Sequence, residues 1–307
     1  MRSRTRVWAV VGLAVLWLPV VGQAQVAPGD TTRVSLDSTG NEGNDFSDVP
    51  SISADGRYVA FFSSADNLVP GDTNSRADVF VRDRQTGTTT RVSLDSTGNE
   101  GNGLSNRPNI SADGRYVAFH SSADNLVAGD NNTQTDVFVR DRQTGTTTRV
   151  SLDSTGNEGD STSRKPAISA DGRYVAFFSD ADNLVPGDNN STDDVFVRDR
   201  QTGTTNRVSL DSTGNEGNST SREPAISADG RYVAFSSDAS NLVTADTNST
   251  RDVFVRDLSG AGSSSATPIP TLGQWGLITL GLILGGLGNF ARRQQHRSID
   301  AGSSSQG

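Results

Sequence analysis

Asp72, Asn74 and Asp78 stand at the spacing Asp-x-Asn-x-x-x-Asp inside GDTNSRADVFVRD. The same set returns at Asp130, Asn132 and Asp136, at Asp188, Asn190 and Asp194, and at Asp246, Asn248 and Asp252, each 58 residues further on. Oxygen side chains two apart open many calcium loops, because hard cations take several oxygen ligands at short range. The EF-hand pattern fails here: its fifth position holds Arg76, Gln134, Thr192 or Thr250, and its sixth holds no glycine. Each loop offers two carboxylates and one amide, so backbone carbonyls or water must complete any shell. The cofactor this admits is calcium, bound weakly and at extracellular concentrations. A second reading stays open, since Asp and Asn also brace the turn before a strand through Asx hydrogen bonds.

Other chemistry is scarce. The chain has no cysteine, one lysine (Lys165) and two histidines, His120 and His296. Disulfides, zinc–thiolate sites and cysteine nucleophiles are excluded, and most histidine-based hydrolysis with them. His120 stands where the other copies have Phe62, Phe178 and Ser236, which marks a tolerated substitution. Asp55, Asp113, Asp171 and Asp229 precede glycine and read as hairpin-turn residues. The pairs Arg82-Asp83, Arg140-Asp141, Arg198-Asp199 and Arg256-Asp257 read as contacts between repeats or at turns. GNEG, at 40–43 and its copies, lacks the GK[ST] of a phosphate loop. No catalytic or organic-cofactor residue is assigned, and the expectation is a protein that is not an enzyme.

These residues are positioned by a repeat. RVSLDSTGNEG begins at Arg33, Arg91, Arg149 and Arg207; SADGRYVAF at Ser53, Ser111, Ser169 and Ser227; DVFVRD at Asp78, Asp136, Asp194 and Asp252. Each unit predicts four short strands, at 51–53, 57–63, 78–83 and 88–94 in the first copy, with tight turns at Asp55-Gly56 and 84–87. Only 33% of the chain is hydrophobic and there are 32 glycines, which suits many short strands joined by turns. Four-stranded units repeated radially make an all-β fold, a four-bladed β-propeller over residues 31–258. The repeat core resembles the TolB-like, WD-type propeller repeat, and the resemblance implies this fold rather than an activity. The chain enters with an extra fourth strand at 31–36 and leaves the last unit after its third. The N-terminal strand is therefore expected to pair with the last blade and close the ring; the rival is an open arc that pairs with a second chain.

Both ends carry signals. Arg2, Arg4 and Arg6 precede an apolar run and the small-x-small site Gly22-Gln23-Ala24, reading as a secretory signal peptide over 1–24. After a Gly/Ser/Ala linker at 259–267 comes PIPTLGQWGLITLGLILGGLGNFARR, whose apolar part at 275–291 is about long enough to span a bilayer. Arg292 and Arg293 would hold its end in the cytoplasm, and a polar tail fills 294–307. Residues 268–293 resemble the IPTL-CTERM sorting signal of Gram-negative surface proteins. That resemblance implies a sorting enzyme of exosortase type as partner and a cell-surface location in the outer envelope, anchored to the membrane at least transiently.

Setting aside six arginines and Asp300 in the terminal segments, the 27 basic and 36 acidic residues become 21 and 35, a net charge of −14. Such a domain repels nucleic acid. Strand alternation puts the tight turns on one face and the long loops (37–49 and 64–77, with copies) on the other. The copies differ most at 45–49, 103–107, 161–165 and 219–223. The function expected is a non-enzymatic binding or scaffold module that presents its long-loop face to a protein or glycan. The alternative is an extracellular hydrolase or lyase using carboxylates at the mouth of the ring.

Overall fold

A computed structural model describes residues 29–259. The signal peptide, most of the 259–267 linker, the 268–293 sorting segment with its apolar span at 275–291, and the tail all lie outside those residues. Among the described residues no helix is long and apolar enough to cross a membrane.

Each 58-residue unit folds as an antiparallel sheet. The first holds β1 (Ser47–Ile52), β2 (Tyr58–Ser63), β3 (Asp78–Asp83) and β4 (Thr88–Arg91) in that order. The second holds β5 (Ser105–Ile110), β6 (Tyr116–Ser121), β7 (Asp136–Asp141) and β8 (Thr146–Arg149). The third holds β9 (Ser163–Ile168), β10 (Tyr174–Ser179), β11 (Asp194–Asp199) and β12 (Thr204–Arg207). The last has three strands, β13 (Ser221–Ile226), β14 (Tyr232–Ser237) and β15 (Asp252–Asp257). These are the blades of a β-propeller, as the spacing predicts.

The blades stack through the alternation of DVFVRD. Val79 and Val81 leave one face of β3 and pack on Val117, Phe119 and Phe138 of the second blade. Phe80 leaves the other face and stacks on Phe61. The pattern repeats when Val137 and Val139 meet Val175, Phe177 and Phe196. Central strands buried on both faces in this way read as continuous apolar runs. At the tight-turn end each blade grips the next. The Tyr58 ring lies against Gly114, between the guanidinium groups of Arg57 and Arg142 at 4.8 and 4.5 Å. Gly114 has φ +72°, and a Cβ there would sit 2.1 Å from the Tyr58 ring, so both backbone shape and space require glycine. Backbone hydrogen bonds run between successive turns, from Ala54 N to Ala112 O, Ala112 N to Ala170 O and Ala170 N to Ala228 O.

Three local predictions are corrected. The innermost strand is not 51–53 following a proline start; it begins at Ser47 and carries Pro50 inside a β-bulge. Asp48 pairs with Phe62 and Ser51 with Ala60, so Val49 and Pro50 oppose one residue, where a missing N–H breaks no ladder bond. The outermost strand stops at Arg91, because the chain beyond it crosses to the next blade: Leu94 O and Asp95 O accept hydrogen bonds from Arg140 Nη1 at 3.3 and 2.7 Å. The stretch 37–49 is not one loop on one face. Its first part folds as a small hairpin closed by the Leu36–Glu42 bridge. Ser38 Oγ there accepts from Thr89 N at 3.0 Å and covers the outer edge of β4. Residues 31–36 form no strand here beyond that single bridge at Leu36.

Candidate functional site

The Asp/Asn loops are built around an arginine. Asn74 Oδ1 accepts from Arg76 N at 2.7 Å, which is the bracing Asx turn, and Asn74 Nδ2 donates to Asp78 Oδ2 at 2.9 Å and to Gly101 O at 2.8 Å. With its oxygen committed to Arg76 N, Asn74 meets the cluster through its Nδ2 donor and offers it no ligand oxygen. Asp72 and Asp78 do converge, joined by Glu100. Into them reaches Arg91 Nη1, 3.2 Å from Asp72 Oδ1, 3.1 Å from Asp78 Oδ2 and 2.6 Å from Glu100 Oε2. Arg149 stands likewise among Asp130, Asp136 and Glu158, and Arg207 among Asp188, Asp194 and Glu216. In each of these three clusters a guanidinium thus bridges the carboxylates. In the last repeat Asn248 Nδ2 donates to Asp252 Oδ2 at 3.0 Å, and Asp246 Oδ1 is buried without a hydrogen-bond partner among the described residues.

Burial dominates the electrostatics of these sites. It pushes Asp72, Asp130 and Asp188 up to about 6 against the pull of their arginines. Burial likewise raises Asp78, Asp136 and Asp194, although each accepts a hydrogen bond from a buried serine: Ser93, Ser151 or Ser209. Both oxygens of Asp130 and one of Asp72 are buried without a hydrogen bond. This leftover acceptor capacity suits a proton or water. Asp72, Asp78 and Glu100 each offer an oxygen within 4.8 Å of the others, close enough together to hold a metal ion, and in this structure Arg91 stands among them.

The residues in which the repeats differ converge elsewhere, along the innermost strands. Each of these strands bulges at a residue in the left-handed region: Val49 (φ 50°), Arg107 (53°), Lys165 (49°) and Glu223 (55°). Non-glycine residues rarely hold this conformation, and a β-branched valine least of all. The bulge rows of neighbouring blades meet. His120 Nδ1 accepts from Lys165 N at 3.2 Å across the second and third blades, and Lys165 pairs with Glu223 across the third and fourth. Burial first, then the nearby Arg164, Arg107 and Lys165, lowers His120 to about 4. It is a neutral acceptor that fixes the bulge. Arg222 pairs with Asp193, whereas Arg107 and Arg164 make no ion pair among the described residues. Along these inner strands Arg107, Arg164, Lys165 and Arg222 stand against Asp48 and Glu223, a local excess of two positive charges in an acidic domain. Sequence variation between copies marks these positions. Their bulge, their strained backbone and their alignment are invisible in it. Arg91 and Glu100, nine residues apart, both recur in RVSLDSTGNEG, but only the fold shows that they meet Asp72 and Asp78.

Residues 267–294 match the IPTL-CTERM motif. No curated protein matches the chain in sequence. Among solved structures it is similar to TolB from Acinetobacter baumannii, at 20% identity and a TM-score of 0.42 over 69% of this chain and 41% of that one. It is also similar to a prolyl endopeptidase, at 15% identity and 0.44 over 70% of this chain and 28% of that one. A third likeness is to the β-propeller domain of the trilobed protease from Pyrococcus furiosus, at 10% identity and 0.38 over 69% and 55%. The chain therefore spans about two fifths of the TolB structure it resembles. These likenesses assign no activity.

Proposed function

We propose that the protein is a non-enzymatic, surface-displayed binding module whose repeat frame presents the inner-strand row and adjoining long loops to an anionic glycan or acidic protein. The IPTL-CTERM motif at 267–294 is a sorting signal, which supports export, anchoring and a processing enzyme of exosortase type. One observation carries the binding reading: otherwise near-identical repeats place their differing residues in a single row. Arg107, Arg164, Lys165 and Arg222 stand there on strained or bulged backbone, against the carboxylates of Asp48 and Glu223. Variable residues on a fixed frame are how repeat folds acquire ligands. Near-identity of the blades elsewhere weighs against a hydrolase or lyase, which needs acid, base and binder placed asymmetrically.

The test is retention of the full chain on immobilised alginate against neutral dextran. Retention on alginate, lost in the Arg107→Glu/Arg164→Glu variant and weakened by salt, is the expected result. Equal behaviour of variant and parent, or turnover of glycan or ester substrates, would contradict the reading.

A further inference from the structure

The fourth repeat lacks four partners that the other three have, and all four lie in one segment of the same sequence. In the first repeat β3 and its loop are served by Thr89, Arg91, Ser93 and Glu100: Arg82 Nη1 donates to Thr89 Oγ1 at 3.1 Å, Arg91 enters the acidic cluster, Ser93 bonds Asp78, and Glu100 completes the ion network. One period on from the third set these positions fall beyond β15, where residues 259–307 contain no RVSLDSTGNEG copy. One period before the first set they are Thr31, Arg33, Ser35 and Glu42.

The side chains of that segment stand largely in solvent. Among the described residues Arg33 pairs only with Glu42, and their side chains are 53% and 71% exposed, against 6% and 22% for Arg91 and Glu100. The sheet they would serve is open: Val253 and Val255 are 76% and 66% exposed, where Val79 and Val81 are fully buried. At the other end of the array Ile52 is 58% exposed, where Ile110 and Ile168 are buried. The series of inter-turn backbone bonds stops at Ala228.

Position decides whose segment fills the gap. Leu36 O and Asp37 O are held on the first blade by Arg82 Nη1, at 3.3 and 2.7 Å, as Leu94 O and Asp95 O are held on the second by Arg140. In the internal copies the chain changes blade within the three residues from Arg91 to Leu94. Arg33 must then belong to a blade flanking the first on its free side. Within one chain the innermost strands pack in sequence, β1 with β5, β5 with β9 and β9 with β13, while Ile52 at one end of the array and Val253 and Val255 at the other stay exposed. We infer that the free side of the first blade receives the fourth blade of a second copy. Residues 31–34 of one chain become the missing outer strand beside β15 of the other, and Arg33 enters between Asp246 and Asp252. Two reciprocal junctions of this kind close two chains into one ring. By the β3–β4 register, Arg33 stands opposite Phe254 and Thr32 opposite Val255.

The chain has no cysteine, so a disulfide between Thr32→Cys and Val255→Cys reports this junction alone. Both positions are exposed, and the substitutions leave the core intact. The full-length double variant is oxidised in detergent with micelles in excess over chains, then run on a non-reducing gel. A covalent dimer, reduced in yield by adding Arg33→Ser, is the expected product. A disulfide at monomer mass would mean that the segment closes its own ring, and no disulfide would mean that it pairs with neither; either overturns the inference.

Discussion

Replacing Arg149 by methionine tests the role of the buried arginines. Its side chain is 5% exposed and faces Asp130 and Asp136, at 2% and 0%, and the partly exposed Glu158. Methionine keeps most of the volume and removes the charge. Breaking one partner out of a buried ion network costs about 3–5 kcal/mol, because the remaining charges stay desolvated. The loss depends on pH in a definite direction. Asp130 is already raised to about 6 by burial, and Arg149 is the group holding it down. Without Arg149 its folded-state value rises further above the unfolded one. A group raised in this way binds its proton more tightly when folded, so the deficit is smallest at low pH and grows as pH rises through 6. Three carboxylates without a counter-charge also form a site for a divalent ion, their oxygens lying within 4.8 Å of one another. At 10 mM calcium and a dissociation constant of about 1 mM, binding restores about 1.4 kcal/mol. The assay is urea unfolding of parent and variant at pH 5 and 7.5, with calcium and with chelator. A loss below about 1 kcal/mol at pH 7.5, or calcium stabilising the parent and not the variant, would refute the reasoning.

Two further substitutions probe the frame. Gly172→Ala combines φ +74° with a Cβ 2.2 Å from the Tyr116 ring, and a loss of about 2–4 kcal/mol in thermal or urea unfolding is expected. Gly156→Ala, at φ +95° with open space around it, should lose only about 1 kcal/mol. His120→Phe installs the residue found at Phe62 and Phe178. His120 titrates at about 4 when folded and near 6.5 when unfolded, so its contribution is complete above 6.5 and is lost as pH falls to 4. Up to about 3 kcal/mol of acid sensitivity should vanish in the variant; an unchanged pH profile between 6.5 and 4 would show that burial of His120 is not what matters.

The fold was legible because the 58-residue period is unbroken and DVFVRD, SADGRYVAF and the Asp-Gly turns each carry a local strand or turn signal. Strand ends were less so. Pro50 reads as a strand start, yet the extra residue of a bulge accommodates it within β1. The crossing at 92–94 continues an apolar alternation and gives no local sign of changing blade. The Asp/Asn loops were half legible: Asn74 braces its turn, and Asp72 and Asp78 converge. Their counter-charge comes from Arg91, 13 residues beyond Asp78 on the neighbouring strand, a distance set by sheet pairing rather than by loop spacing. The inner-strand row was visible only as variation between copies, since its alignment depends on how successive blades pack.

The central claim is that an arginine bridges the three carboxylates of each internal acidic cluster. Heat unfolding of the unmodified chain, with calcium and then with excess chelator at pH 7.5, tests it most directly. The two melting temperatures should coincide; a chelator-dependent fall of several degrees would show that a bound ion, and not Arg91, Arg149 and Arg207, holds those carboxylates together.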